Sequence, residues 1–375
     1  MMIQDRYDMG YPMIPHIEIC RWYKLAFLAV LLCFFAGCCT VDARIENNNW
    51  IGIATFGNNR LLIDAEIIGQ YESPKTKCDV KTSLFSLEKI KNVVNAVFPN
   101  IGVVFDTVPC ELTVKNSNGG EYLCLMYENY IGVQECPEGV IQLEEWVLAG
   151  DAYPSEPKGT TLDHVILSKS TAETIAYETV SSIGATNLDL SFICKARILL
   201  PSYETFSEGW FVTFGFSIDG NSPIYMGSVL PNNRMNVKSI WFAPTLPETI
   251  ILYIDETGIK SFQWGDPLTI VESTIEKTKM LPINKVFAKI IRYFRSNYNW
   301  DCVVSTQDVP LIEKIVLTDA VIISSPFSRN DGKVKPAWAV FYSTEREKEN
   351  YSPPSIIFID AENGIVLNPF ILNEE

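Results

Sequence analysis

Apolar positions recur along this chain with two periods, and the switches between them mark its elements. In Leu61–Ile68 every second residue is apolar around Asp64 and Glu66, which predicts a half-buried strand. Ser86 then stands as a cap before a helical stripe of Leu87, Ile90, Val94 and Val97 that Pro99 stops. A capping box, Ser170-x-x-Glu173, opens a second helix that buries Ala172, Ile175, Ala176, Val180 and Ile183 and ends at Gly184. Pro282 starts a third, with Ile283, Val286, Phe287, Ile290 and Phe294 inward. Elsewhere the period returns to two: around Asn118-Gly119, in 190–198 and 209–218, and in 249–264 with a turn near Thr257-Gly258. Further strands follow in 312–324, in 337–344 and in the hairpin 355–367 around Asn363-Gly364. Asp219-Gly220 and Asp331-Gly332 read as turns.

Each helix is followed by strands that come in hairpins, so the pattern predicts an α+β fold of repeated units, one amphipathic helix packed on a small antiparallel sheet. Three such units divide the chain at 51–158, 159–275 and 276–375. Hairpins argue against a doubly wound nucleotide-binding sheet, and neither G-x-G-x-x-G nor a Walker motif occurs.

The first forty residues carry a different message. Arg21 and Lys24 precede an unbroken apolar run, Leu25 to Phe35, followed by Ala36, Gly37 and Cys38. That order is a basic region, a short apolar core and small residues before a cysteine, the pattern of an export signal. A helix of this length reaches only about 16 Å, roughly half the hydrocarbon thickness, so it is too short to stay as a bilayer span. Phe35-Ala36-Gly37-Cys38 resembles the bacterial lipobox, with phenylalanine where leucine is more usual; the resemblance implies acylation of Cys38 and cleavage before it. Residues 1–37 then read as a lipoprotein signal peptide and 38–50, with Asn47-Asn48-Asn49, as a polar tether. The expected location is the extracytoplasmic face of the cell membrane, held by lipid.

Charge and chemistry narrow the function. Lys plus Arg number 30 and Asp plus Glu 45, a net charge of −15, which is the wrong sign for a chain that would neutralise phosphates, so nucleic acid is not expected as a partner. Removing 1–37 takes three charges of each sign and also His16, leaving His164 as the one histidine. Two-histidine zinc motifs are thereby excluded from the exported part, and His164 has no G-x-S-x-G elbow to serve. No catalytic residue, metal site or cofactor is assigned. Glu144-Glu145 are adjacent and so diverge on a strand or a helix. The exported cysteines beyond Cys38 are Cys39, Cys78, Cys110, Cys124, Cys136, Cys194 and Cys302, an odd number without a C-x-x-C pair. With a two-residue turn at Asn118-Gly119, Cys124 would lie opposite Thr113 and face away from Cys110, which leaves Cys78 or Cys136 as other partners.

The stretch with the third helix, Pro336-Ala337-Trp338-Ala339-Val340 and Ile357-Phe358-Ile359-Asp360-Ala361-Glu362-Asn363-Gly364-Ile365-Val366 resembles a PepSY-type module. The whole chain is similar to uncharacterised bacterial lipoproteins of a family of unknown function, through Leu62-Ile63-Asp64-Ala65-Glu66, Gly209-Trp210-Phe211-Val212, and Tyr253-Ile254-Asp255 with Phe262-Gln263-Trp264. More distantly it resembles extracytoplasmic regulators of a wall-sensing kinase. These resemblances imply PepSY- or cystatin-like units and a binding role, toward a peptidase or a signalling protein. The first two units lack the Asp-Ala-x-x-Gly hairpin of the family.

Two further features bear on partners. Lys285, Lys289, Arg292 and Arg295 fall within an arc of about 120° opposite the apolar stripe of the third helix, a candidate surface for anionic headgroups or wall polymers. Trp338 alternates with Val340 and Tyr342 and is expected in the core. The sequence therefore points to a lipid-anchored, non-catalytic module for a protein or peptide partner. A hydrolase built on carboxylates and a small-ligand-binding lipoprotein are the alternatives.

Overall fold

The structure, a computed structural model, describes residues 39–69, 73–102, 105–116, 119–143, 162–202, 204–223, 248–325, 328–349 and 354–367, with the backbone alone at 321–325 and 328–331. The chain is mostly β and forms two curled sheets of ten and eight strands. It lays down β1 (Cys39–Glu46), β2 (Asn49–Phe56), β3 (Asn59–Ile68) and β4 (Lys75–Thr82) in the first sheet. It then crosses to the second sheet for β5 (Cys110–Lys115), β6 (Glu121–Tyr127), β7 (Tyr130–Glu135), β8 (Val140–Leu143), β9 (Leu188–Leu199), β10 (Thr205–Phe216), β11 (Thr249–Asp255) and β12 (Gly258–Gly265). It returns to the first with β13 (Leu268–Ile270), β14 (Glu276–Thr278), β15 (Leu311–Ser325), β16 (Ser328–Ser343), β17 (Ser355–Asp360) and β18 (Val366–Leu367). The first sheet runs β1-β2-β3-β15-β16-β17-β18 with β4 on β16, and the second runs β5-β6-β7-β12-β11-β10-β9-β8. Among the described residues pairing is antiparallel except for β3 beside β15, the parallel contact that brings an early strand beside a late one.

Four α-helices stand among the described residues: α1 (Leu87–Val97), α2 (Lys169–Ser182), α3 (Ile283–Asn297) and the short α4 (Glu345–Glu349). Ser86 caps α1 as expected, its hydroxyl accepting from Lys89 N at 3.1 Å. The cap of α2 is Ser168, two residues before the expected Ser170; it holds the extended backbone a cap needs and accepts from Thr171 N at 3.1 Å. Gly184 closes α2 at φ 66°, and Pro282 is the residue before α3 rather than its first.

The expected repeat of helix-on-small-sheet units is not what forms. α1 and α2 share the second sheet, where Ile90, Val93, Val94, Ala176 and Val180 meet Phe214, Leu252, Phe262 and Trp264. Among the described helices α3 is the one that buries its apolar face on the first sheet, and it covers strands from both chain ends: Trp50 and Ile63 on one side, Ile315, Trp338 and Ile359 on the other. Trp50 stacks on Phe287 with ring centroids 4.1 Å apart, and the Phe294 ring meets Tyr342 edge-on at 5.0 Å. The limit at 158/159 falls inside the second sheet, and the first sheet takes strands from the segments before 158 and after 276 alike.

Other local readings change as well. Residues 39–46 form β1, paired along its length with β2, where a tether was expected. Asp331-Gly332 lies inside β16, with Gly332 opposite Ile323, so it is no turn. The β5–β6 loop is one residue longer than the expected turn: Asn116 N donates to Gly120 O and Gly120 N to Asn116 Oδ1. The register shifts with it, Leu112 opposing Cys124 and Cys110 opposing Met126. Cys110 and Cys124 therefore share the helix-facing side, as diagonal neighbours whose Cα atoms lie about 7–8 Å apart, beyond ordinary disulfide reach. Cys39, Cys78, Cys110, Cys124, Cys136, Cys194 and Cys302 are free thiols. Asp219-Gly220 does turn, both residues at positive φ.

Candidate functional site

Cys38 lies outside the described residues, which begin at its neighbour Cys39. Cys39 points to the side of the first sheet that carries α3, packing with Ala43 and Phe56 against the α3 core. Because α3 buries Val286, Phe287, Ile290, Ile291 and Phe294, its four cations are brought together on the outward face, as the arc predicts. Lys285, Arg292 and Arg295 are exposed. Lys289 is half-buried, its stem lying over Gly364, where an added Cβ would stand 2.9 Å from both Cγ and Cε. The helix is thus seated against the Asn363-Gly364 turn. In that turn Asp360 Oδ1 accepts from Glu362 N at 2.8 Å and from Asn363 N at 3.4 Å, the bonds expected of it. Trp338 is fully buried in the α3 core.

A second collection escaped the sequence reading. On the side of the second sheet away from α1 and α2, two adjacent rows cross the central strands. One runs Gly132, Gln263, Ile251, Thr213, Phe192 and the other Gln134, Ser261, Tyr253, Phe211, Cys194. Neither row carries a charged side chain. Thr213 and Ser261 are 1% exposed and Gln263 4%, yet Thr213 Oγ1, Ser261 Oγ and Gln263 Oε1 have no hydrogen-bond partner. Unpartnered buried polar atoms cost about 1–3 kcal/mol each, which is why so few persist. The three span roughly 7 Å along a strand and 10 Å across the sheet. The signal in the sequence is Ser261-Phe262-Gln263-Trp264, whose alternating polar positions look solvent-facing although both faces of the strand are buried there.

The two sheets are clamped by acids that sequence also left unremarked. Ile218 N and Asn221 Nδ2, just past β10, donate to Asp319 of β15 at 2.6 and 2.8 Å. Between them Asp219 accepts from Thr76 N at 2.6 Å and from Lys277 Nζ at 2.9 Å. Burial pushes the Asp319 carboxyl up to about 6 against those two bonds. Asp219 is also pushed up by burial, but the Thr76 and Lys277 bonds outweigh it and hold the group below the usual range. Glu248, before β11, receives Trp264 Nε1 at 2.8 Å and Leu268 N at 3.1 Å, where the chain passes back to the first sheet; burial raises it to about 7. Both carboxyls brace crossings between sheets. Among the described residues no three His, Cys, Asp or Glu gather as a metal site. His164 is exposed, its backbone N–H donating to Glu208, and Glu144-Glu145 lie outside the described residues.

No family model matches the sequence, and no curated protein matches it. The fold is similar to the crystal structure of an uncharacterised protein from Eubacterium rectale, with a TM-score of 0.52 and 15% identity over 86% of this chain and 93% of that one. That likeness extends to nearly the whole of both chains and concerns architecture alone.

Proposed function

We propose that this protein is a lipid-anchored binding module on the extracytoplasmic face of the cell membrane, recognising a protein or peptide partner without catalysing a reaction. The observation that carries the reading is the order Arg21, Lys24, Leu25–Phe35, Ala36-Gly37-Cys38, which fits export and acylation of a cysteine. Since β1 begins at Cys39, an acyl group on Cys38 holds the first sheet against the bilayer with no spacer between. Support for a peptide partner comes from the sheet ends: β1 closes the order of the first sheet and β5 that of the second, and an edge strand offers unpaired main-chain groups to an added strand. The PepSY-like hairpin around Asp360 agrees with a binding role by resemblance. Radiolabelled palmitate fed to cells is expected to label the wild-type chain in the membrane fraction and to leave Cys38→Ala unlabelled and soluble. Equal labelling of the two would overturn the anchor.

A second reading is favoured by one observation, the unpartnered trio Thr213, Ser261 and Gln263, which suits an uncharged ligand rich in hydroxyl or amide groups. Native mass spectrometry of protein purified from cells should then show a bound neutral mass that Thr213→Val with Ser261→Ala loses. A single unliganded mass in both samples removes this reading.

A further inference from the structure

The side of the first sheet that carries α3 combines charge and exposed apolar groups in one layer. Lys277, Lys279, Lys285, Lys289, Arg292 and Arg295 all fall between residues 277 and 300, a stretch without one Asp or Glu, in a chain of net charge −15. Lys277 is engaged by Asp219, and the other five cations flank or ride on α3.

The strands on either side of the helix add the second element. In β1, Cys39 and Ala43 face the α3 core, so Val41 and Ile45, alternating with them, share that side; they are 49% and 46% exposed. At the opposite edge Val366 of β18 pairs with Ile359, itself part of the α3 core, and is 40% exposed. A basic helix is therefore flanked by aliphatic side chains at both edges of its sheet, all on one side.

We propose that this side is a membrane-docking surface. The α3 cations meet anionic phospholipid headgroups, while Val41, Ile45 and Val366 enter the interfacial layer. The proposal rests on the membrane location of the proposed function but not on acylation itself. Cations near an anionic bilayer attract it strongly within a Debye length, and apolar side chains add affinity that salt does not screen. A wall polymer of the same charge would satisfy the cations but has no use for the three aliphatic groups.

The test holds the chain on lipid nanodiscs through an amino-terminal hexahistidine tag and a trace of nickel-chelating lipid, so that it stays at the disc whether or not Cys38 is acylated. A fluorophore at Asn284→Cys, in a Cys302→Ser background, reports quenching by headgroup-nitroxide lipid; both native residues are exposed. In discs containing anionic phosphatidylglycerol, strong quenching is expected at low salt, falling at high salt and in purely zwitterionic discs. Lys285→Gln with Lys289→Gln and Arg292→Gln should reduce the docked-to-free ratio about fivefold per cation, roughly a hundredfold together. Lys289 also packs on Gly364, so Lys285→Gln with Arg292→Gln alone, checked for an unchanged melting temperature, must show its roughly 25-fold share. Equal quenching in zwitterionic and anionic discs, or in the wild type and the folded double variant, overturns the proposal. Loss of palmitate labelling with quenching intact would overturn the anchor alone.

Discussion

Phe294→Ala is expected to lower the free energy of unfolding by about 3–5 kcal/mol, the range for removing a fully buried phenylalanine. Phe294 is 0% exposed on α3 and is surrounded by aromatic rings: Tyr342 edge-on at 5.0 Å, Tyr298 tilted at 5.5 Å, and Tyr293 edge-on at 5.7 Å. Its carbonyl also accepts from Trp300 Nε1 at 2.9 Å, so the C-terminal end of α3 and the segment after it are fastened at one residue. Losing the ring leaves a cavity that three aromatic neighbours cannot close without leaving their own contacts. The effect should reach both chain ends, because α3 is what covers β2 and β3 as well as β15 to β17. Urea unfolding followed by tryptophan emission measures it. A cost below about 1 kcal/mol would mean that α3 is not seated as described.

The junction between the sheets makes stability depend on pH in an unusual direction. The Asp319 carboxyl sits at about 6 in the fold against an unfolded value of 3.8, and Glu248 at about 7 against 4.5. Between pH 4 and 7 the folded chain then binds more protons than the unfolded one, so stability falls as pH rises through that window and is level above it. Each group contributes about 3 kcal/mol to the fall. Asp219, Asp308 and Glu362, held below their usual range, act oppositely, and their effect falls at the acid end of that window and below it. Asp319→Asn isolates the effect. The neutral amide keeps an acceptor for Ile218 N, and rotation of the Asn221 amide lets its Oδ1, now without a partner, accept from the new side chain. The variant should be more stable than wild type at pH 8 and show a shallower fall between pH 4 and 6. Lower stability at pH 8 with an unchanged slope would contradict the assignment.

How far the sequence reveals this fold depends on whether an element is defined locally. α1, α3 and the Thr257-Gly258 hairpin are set by caps, stripes and turn residues within a dozen positions, and each forms close to where it was expected. The sheets are not set locally. The parallel pairing of Leu62 with Leu311 joins residues far apart in the chain, and nothing around either one encodes the partner. A helix followed by hairpins consequently reads as self-contained, although α3 also packs against strands at the other end of the chain. One-residue errors had large consequences too: Asn116 closing a longer loop turned Cys110 and Cys124 to the same face. The cationic arc on α3 was readable because period and burial coincide there. The trio on the second sheet was not, since Gln263, Thr213 and Ser261 alternate with core residues as solvent-facing positions do and are nevertheless buried.

Intact-mass spectrometry of the protein extracted from cell membranes tests the central claim most directly. The account predicts a chain beginning at Cys38 and carrying a diacylglyceryl group, with no species retaining residues 1–37. An unmodified chain with its amino-terminal residues intact, recovered from the cytosol, would contradict it.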